Sequence, residues 1–315
     1  MHKIVFMFPG QGAQYIGMGQ DFYHKYDKAK AIIDLLDNTI KETMFKGPLA
    51  TLNKTQYTQP SVFIVSCAIF EIFQSYYNFK DDDVIAIGHS LGEYSALCTT
   101  GFFNVRNGLK IVLTRAKLMQ KVTQHHHGAM VALIGSDDIL ISNACREICT
   151  RGYGICEVAN FNSKHQVVIS GEVNAVKETV KYLKSINPKL KAIYLNVNGA
   201  FHSSLMTYAV EKMRFELSKY DFNIPKFGIY MNYDALFTFD VNSIKEKLIQ
   251  QIDHPVRWEE SIKNIIRRGY NTFIEIGPGR VLSNLVRRID TNKFTRIFNI
   301  ENIESLESTL EAITK

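Results

Sequence analysis

Residues 84 to 97 have the sequence VIAIGHSLGEYSAL, in which a short apolar run leads directly into a G-x-S-x-G segment centred on Ser90. The run Val84 to Ile87 predicts a buried parallel strand, and the residues after Gly92 predict a helix. A strand, this segment and a helix together are typical of a nucleophile elbow, a sharp turn that exposes the serine side chain. Gly88 and Gly92 suit such a turn because glycine has no Cβ to crowd the two backbones.

At the tip of this elbow, the Ser90 hydroxyl would have the N–H of Leu91 and the positive end of the helix beside it. These groups would stabilise a negative charge that forms next to the serine. The alternative is a tight turn whose serine only caps the helix. The segment alone leaves both interpretations open, so the rest of the chain has to decide.

The composition is that of an ordinary globular protein of one or two domains. The chain has 315 residues and is 46% hydrophobic, which is enough for a large core. Lys and Arg number 37 against 31 Asp and Glu, a net charge of +6. A mildly basic surface favours an acidic partner weakly, and no motif indicates nucleic acid.

The five cysteines show no C-x-x-C pair and no spacing typical of a disulfide framework, so we expect a reducing, cytoplasmic setting. The chain enters a strand at once and leaves no room for a secretory signal, and no apolar stretch is long enough for a bilayer. The tract His125 to His127 is interpreted as a linker. A metal site is the alternative, but no second ligand cluster accompanies it.

The first predicted strand, Ile4 to Phe8, runs into the glycine-rich segment FPGQGAQYIGMG. This segment is not a phosphate loop, because the G-K-[ST] ending is missing. Gln11 is therefore of interest for its backbone N–H, and a plain strand-to-helix connection is the alternative. Residues 21 to 45 predict one amphipathic helix.

Residues 106 to 121 show apolar side chains at helical spacing, and Arg115 lies near that apolar stripe. An arginine so placed is costly to bury unless a carboxylate meets it. Either a ligand carboxylate provides that partner, or Arg115 snorkels or forms a structural pair.

From residue 128 the pattern changes to β-α-β-β-α-β, which is the ferredoxin-like order. We predict strands at 130–134, 155–160, 166–170 and 191–197, and helices at 137–150 and 173–186. This interpretation gives an α/β protein with a large domain, residues 1–127 and 198–315, and an inserted small subdomain, residues 128–197. His202 then lies in a loop after the insert, ahead of a helix from about Ser204 to Leu217.

Several separated segments of the chain, taken together and in this order, resemble the malonyl-CoA:acyl carrier protein transacylase family. They are FPGQGAQYIGMG, LNKTQYTQPS, GHSLGEYSAL, RAKLMQ, NFNSKHQVVISG, NVNGAFHS, HPVRW and EIGPGRVL. The resemblance covers nearly the whole chain. It implies an α/β-hydrolase-like large domain with a parallel sheet, together with the inserted ferredoxin-like subdomain.

The resemblance implies that Ser90 is the nucleophile and His202 its general base, oriented by the backbone carbonyl of Gln251. Imidazole can take the serine proton during attack and return it to the leaving thiol. His89 is a poorer candidate for the base, because adjacent side chains diverge around a tight elbow. Gln250 adjoins Gln251, so this assignment could slip by one residue.

The resemblance also implies an oxyanion hole formed by the N–H groups of Gln11 and Leu91, and it makes Arg115 the residue that binds the malonyl carboxylate. Asn160 and Asn162 resemble the family's active-site asparagines. Phe201 would crowd an α-methyl group, which favours malonyl over methylmalonyl. The chain departs from the family pattern at His125–His127 and at Asp253-His254.

The implied reaction is ping-pong transfer of malonyl from malonyl-CoA to the thiol of holo acyl carrier protein for fatty acid synthesis, without metal or cofactor. Arg267, Arg268, Arg287 and Arg288 are candidates for docking the acidic carrier, although each could be an ordinary solvated charge.

A transferase acting in trans for a polyketide synthase would use the same residues. A thioesterase or serine hydrolase would want a carboxylate beside His202. The size is compatible with a monomer.

Overall fold

The computed structural model describes residues 3–125, 127–197, 199–292 and 294–314. Two sheets organise these residues, a six-stranded sheet and a four-stranded sheet. The first segment of the chain contains β1 (Ile4–Phe8), α1 (Gln20–Lys25), α2 (Asp27–Ile33), α3 (Asn38–Lys46), α4 (Leu49–Leu52), α5 (Thr55–Tyr76), β2 (Val84–Gly88), α6 (Gly92–Thr99) and α7 (Val105–His125).

The remaining elements follow in two segments, one for each sheet. The middle segment contains β3 (Gly128–Ile134), α8 (Asp138–Thr150), β4 (Cys156–Ser163), β5 (Gln166–Glu172), α9 (Val173–Ile186) and β6 (Lys191–Tyr194). The last segment contains α10 (Thr207–Leu217), β7 (Ile229–Tyr230), β8 (Phe237–Thr238), α11 (Val241–Gln250), α12 (Trp258–Arg267), β9 (Thr272–Ile276), α13 (Val281–Ile289), β10 (Arg296–Ile300) and α14 (Ile303–Thr314).

The six-stranded sheet has the order β10-β9-β1-β2-β7-β8 and is parallel except at the edge strand β8. Its two central strands, β1 and β2, are apolar throughout and buried at every position. This is the pattern expected of parallel strands that are covered by helices on both faces. The register pairs Phe8 with Gly88, so the loops that follow β1 and β2 begin side by side. The α/β-hydrolase-like architecture predicted for the large part of the chain is confirmed.

The four-stranded sheet is antiparallel with the order β4-β5-β3-β6, which is the strand order of a ferredoxin-like fold. Side chains alternate between its faces: Val131 and Leu133 pack with α8 and α9, whereas Met130 and Ala132 join the large core. The inserted βαββαβ order is therefore present. The division of the chain at residues 127/128 and 197/198 stays a prediction.

Some boundaries differ from those expected. The single helix predicted for residues 21–45 is wrong: the region forms α1, α2 and α3. Extended backbone at Tyr26 separates α1 from α2, and the chain leaves the helix after Ile33 before α3 begins at Asn38. Asp37 accepts a hydrogen bond from the Thr39 N–H and so caps α3. Strand β6 ends at Tyr194.

The predicted linker His125–His127 includes His126, which lies outside the described residues. In the parts of the chain that are described, no helix combines the length and apolar character needed to cross a membrane.

Candidate active site

Ser90 occupies the turn between β2 and α6 in a left-handed conformation, with φ 52°. The turn is tight enough to exclude side chains on both sides. A Cβ on Gly88 would lie 1.9 Å from the carbonyl carbon of Gly92, and a Cβ on Gly92 would lie 1.9 Å from the carbonyl oxygen of Phe8. The local sequence thus forms a nucleophile elbow, and the end of β1 packs closely against it.

Ser90 and His202 are joined by a hydrogen bond of 2.7 Å between Ser90 Oγ and His202 Nε2. The other ring nitrogen, Nδ1, lies 2.8 Å from the carbonyl oxygen of Gln251. A carbonyl oxygen can only accept, so Nδ1 carries the proton and Nε2 is free to accept the serine proton. The carbonyl of the neighbouring Gln250 instead lies 2.9 Å from His254 Nδ1.

His202 is buried and lies near the positively charged Arg115. Its backbone is left-handed with φ 59°. Burial, followed by the charge of Arg115, lowers the pKa of His202 to about 3. The imidazole is therefore neutral at physiological pH, which is the state that can act as a base.

Arg115 lies on α7 and is only 1% exposed. Its guanidinium donates to Gln59 Oε1 at 2.7 Å and to Gln251 Oε1 at 3.1 Å, and Nη2 lies 3.1 Å from Ser90 Oγ. The guanidinium also lies over the Tyr94 ring, 5.3 Å from its centroid. Burial lowers the pKa of Arg115, but an arginine keeps its proton near neutral pH.

Nε of Arg115 is buried and has no hydrogen-bond partner among the residues that the structure describes. A buried cation whose contacts are mostly neutral oxygens is costly to maintain unless an anion completes the site. The structure thus brings Arg115 beside the elbow serine, where a bound carboxylate would satisfy it.

The loops after β1 and β2 meet beside Ser90. A Cβ on Gly10 would lie 2.4 Å from the His89 carbonyl oxygen, so only glycine allows this approach. Gln11 and Leu91 line, with Ser90, a cavity of about 90 Å³. Within the described part of the chain, neither of their backbone N–H groups has a hydrogen-bond acceptor. The Gln11 side chain points to Thr55 Oγ1, 3.2 Å away.

Sequence reasoning missed two polar residues beneath the elbow, Glu93 and Asn232. Asn232 accepts a hydrogen bond from the Ser90 N–H at 2.7 Å and donates to the Gly88 carbonyl at 2.7 Å. Glu93 accepts from the Asn232 N–H and from Gln251 Nε2, both at 2.5 Å. These contacts tie the backbone of the elbow to the residue whose carbonyl holds His202.

Glu93 is fully buried, and burial raises its pKa to about 8, against the opposing effects of the Asn232 N–H and Arg115. A signal for it was available in the sequence, because Glu93 is the one charged residue in the α6 sequence GEYSALCT. Asn232 gave no comparable signal, since an isolated asparagine after a short strand also suits a turn.

The remaining predicted site residues separate into two groups. Asn160 and Phe201 line the cavity beside Ser90, and both are buried. Asn162 instead lies 2.8 Å from His89 Nε2, and the His89 ring packs against Trp258 at 5.5 Å. The His89 ring is thus held by Asn162 and Trp258, while His202 is the histidine that contacts the serine hydroxyl.

The four arginines proposed for docking are all exposed, and they lie in or just after α12 and near the end of α13. Arg288 donates to Gln166 at 2.5 Å, and the Arg268 guanidinium lies 4.2 Å from the centroid of the Phe237 ring. Over the described ranges, no group of three or more His, Cys, Asp or Glu side chains could hold a metal ion.

A serine at a strand-to-helix elbow, hydrogen-bonded to a neutral histidine and flanked by backbone N–H groups that have no acceptor in the described part of the chain, defines the class of serine enzymes that work through an acyl ester. A family model described as acyl transferase domain matches residues 5–302. The chain is 36% identical to the malonyl CoA-acyl carrier protein transacylase of Bacillus subtilis (strain 168), covering 99% of this chain and 98% of the relative. The chain belongs to the malonyl CoA-acyl carrier protein transacylase family.

Solved structures agree with this assignment. The transacylase of the same name from Clostridium perfringens has a TM-score of 0.91 at 35% identity, covering 99% of this chain and 97% of that one. The acyl-carrier-protein S-malonyltransferase of Bartonella henselae has a TM-score of 0.93 at 33% identity, with both chains covered completely at 100%. A malonyl-transacylase in complex with its type II polyketide acyl-carrier protein has a TM-score of 0.91 at 33% identity, covering 98% of this chain and 99% of that one.

Proposed function

We propose that this protein transfers the malonyl group from malonyl-CoA to the phosphopantetheine thiol of an acyl carrier protein, through an ester on Ser90, for fatty acid synthesis. One observation carries the proposal. The buried cation Arg115 lies 3.1 Å from the hydroxyl that His202 holds at 2.7 Å. A nucleophile and a carboxylate-binding group in one small cavity suit an acyl group that ends in a carboxylate.

In the first half-reaction, Ser90 Oγ attacks the thioester carbonyl while its proton passes to His202 Nε2. The oxyanion that forms is stabilised by the N–H groups of Gln11 and Leu91, each on the order of 3 kcal/mol by comparison with other acyl-transfer enzymes. The intermediate then collapses, the carbon–sulfur bond breaks, and the CoA sulfur leaves with the proton from His202. The carrier thiol attacks the resulting ester by the same steps in reverse.

Selectivity for malonyl follows from the chemistry of Arg115. The planar guanidinium can bind a carboxylate through two hydrogen bonds, and Nε is the donor that lacks a partner among the described residues. An acetyl group would leave this buried charge uncompensated. Asn160 and Phe201 would shape the rest of the cavity, and no metal or cofactor takes part.

The test is to incubate the protein with malonyl-CoA, acetyl-CoA or methylmalonyl-CoA and to weigh the intact chain. The wild type should gain a malonyl ester that disappears when holo acyl carrier protein is added. Ser90→Ala should gain no adduct, and Arg115→Ala should form less malonyl and more acetyl ester. The proposal fails if no adduct forms, or if water clears the ester as fast as the carrier does.

The same chemistry would serve a polyketide synthase in trans, and the similarity to a transacylase bound to a type II polyketide carrier supports this second candidate. Comparing transfer rates to a fatty acid carrier and a polyketide carrier distinguishes the two.

A hydrolase is disfavoured because Nδ1 of His202 faces a carbonyl and not a carboxylate. The setting we propose is the cytoplasm, which suits five cysteines that are all free.

We further propose that the exposed arginines near the ends of α12 and α13 dock the acidic carrier. Arg267→Glu and Arg287→Glu should each raise the KM for the carrier, more at low salt than at high salt, and leave malonyl ester formation from malonyl-CoA unchanged. The exposed Lys177→Glu on α9 changes the net charge equally and serves as the control. Equal effects in all three variants would show that general charge, and not this surface, attracts the carrier.

A further inference from the structure

Three of the five cysteines lie together where α8 packs on β4, outside the chemistry proposed for Ser90. Cys145 Sγ and Cys156 Sγ are 3.7 Å apart, and both residues are buried. The third thiol, Cys149, contacts the Cys156 backbone at its N–H (3.2 Å) and carbonyl (3.4 Å). The contacts of Cys149 are thus with main chain, whereas Cys145 and Cys156 face each other.

The facing pair forms part of the wall of a groove of about 410 Å³ that also borders His202. Asp253 and His254 line the same groove. A small solute that enters this groove would therefore come next to both cysteines of the pair and to His202.

Strand β4 connects the pair to the active site. Glu157, the residue after Cys156, accepts hydrogen bonds from the Ser204 N–H at 2.7 Å and from its hydroxyl at 3.1 Å. Ser204 is two residues beyond His202. Further along the same strand, Asn160 lines the Ser90 cavity. A displacement at the start of β4 would reach both the loop of the base and the wall of the cavity.

We propose that Cys145 and Cys156 form an oxidisable dithiol site, which a peroxide converts to a disulfide that reversibly slows acyl transfer. The Cys156 sulfur attacks one peroxide oxygen, the oxygen–oxygen bond breaks, and water leaves after proton transfer to give a sulfenic acid. The Cys145 sulfur then attacks that sulfur, the sulfur–oxygen bond breaks, and a second water leaves. Both thiols are oxidised, and hydrogen peroxide is reduced to two water molecules.

The surroundings favour Cys156 as the first sulfur to react. The Cys145 thiol lowers the pKa of Cys156 against the opposing effect of burial, and the Thr179 hydroxyl acts in the same direction as Cys145. A thiolate is the nucleophile in such chemistry. Because a disulfide requires a sulfur–sulfur distance of about 2.0 Å, the two side chains must move together from the present 3.7 Å, and we expect α8 and the start of β4 to shift with them.

The cross-link can be located directly, because trypsin separates the three cysteines. Cleavage after Arg146 and Arg151 places Cys145, Cys149 and Cys156 in three different peptides. The full-length protein is treated with hydrogen peroxide, quenched with catalase, alkylated and digested without reduction. We expect a disulfide between the peptides of Cys145 and Cys156. A pair that includes Cys149, or no cross-link while the circular dichroism spectrum is still native, overturns the proposal.

The activity measurement rests on the proposed function, whereas the cross-link does not, so the two can fail separately. Oxidised wild type should transfer malonyl on the order of tenfold more slowly, since a shift of about 1 Å is costly in an active site, and dithiothreitol should restore the rate. Cys145→Ser and Cys156→Ser cannot form the cross-link and should keep most of their transfer rate after peroxide, whereas Cys98→Ser, which leaves the pair intact, should respond like wild type. Equal loss in all variants would overturn the link between this site and activity.

Discussion

His202 Nδ1 lies 2.8 Å from the backbone carbonyl oxygen of Gln251, and that acceptor belongs to the main chain. A carbonyl dipole orients the imidazole without placing a full negative charge beside it. The protein thus holds the proposed base in one tautomer while burial and Arg115 keep it neutral. The Gln251 side chain has a separate task, because its amide donates to the Ser90 carbonyl at 2.9 Å.

Gln251→Ala should therefore be far milder than His202→Ala. The substitution keeps the carbonyl that orients His202 but removes the side-chain contacts to Glu93 and Arg115. We expect ester formation to slow by roughly tenfold, against about 1000-fold or more for loss of the base. Single-turnover formation of the malonyl ester, followed by mass, measures both. Equal losses would mean that the side chain, and not the carbonyl, orients the histidine.

Asn232→Ala should destabilise the backbone of the elbow, because Asn232 hydrogen-bonds to it on both sides of His89. It leaves the Ser90 N–H and the Gly88 carbonyl without partners, at a cost of about 1–3 kcal/mol for each buried group. We expect a lower denaturation midpoint and a lower kcat for acylation with little change in KM. Asn223→Ala is the matched control, since its bond to the Gly101 carbonyl is exposed. A variant that loses stability but keeps its kcat would show a structural role alone.

Phe201→Ser should widen the acyl cavity. Phe201 is only 7% exposed and lines the cavity of about 90 Å³ that contains Ser90. Removing the ring makes room for an α-methyl group, so the yield of methylmalonyl ester relative to malonyl ester should rise several-fold, on the scale of about 1–3 kcal/mol for one carbon. Intact-mass competition between the two thioesters measures the ratio. Phe215→Ser, at a position 66% exposed on α10, should leave it unchanged.

The elbow could be predicted from sequence because its geometry depends on adjacent residues. Two glycines and an apolar strand determine a turn of this kind locally, and the alternating pattern after residue 128 likewise specified the antiparallel sheet. The helix predicted for residues 21–45 failed because apolar periodicity continues through Tyr26, where the backbone is extended. Tertiary packing determines such a break in a helix, and the apolar periodicity of the sequence does not reveal it.

In the candidate site, too, residues in recognisable local segments could be predicted, whereas residues that act through distant contacts could not. Ser90, His202 and Arg115 were found because their residue types stand in recognisable segments, and the resemblance supplied their roles. Asn232 was missed because its importance depends on a contact with a residue 142 positions away. The pairing of Cys145 with Cys156 also required the fold, since a helix and a strand bring the two sulfurs together.

The pH dependence of ester formation tests the environment of His202 most directly. The pKa of His202 is about 3 because the ring is buried and faces Arg115. The base form is present above that pKa and is lost as the pH falls through it, so kcat/KM for acylation should show no inflection near 6.5. Acetyl-CoA is the substrate of choice, because it has no carboxylate of its own to titrate.

Arg115→Gln is the matched variant for this measurement. It removes the positive charge but leaves the ring buried, so the pKa of His202 should rise and the acid limb should move to higher pH. Since the unfolded chain takes up the histidine proton first, the stability contributed by neutral His202 is complete above about 6.5 and declines as the pH falls towards 3. Circular dichroism at each pH therefore has to accompany the kinetics. A wild-type inflection near 6.5 in fully folded protein would contradict the buried, neutral base.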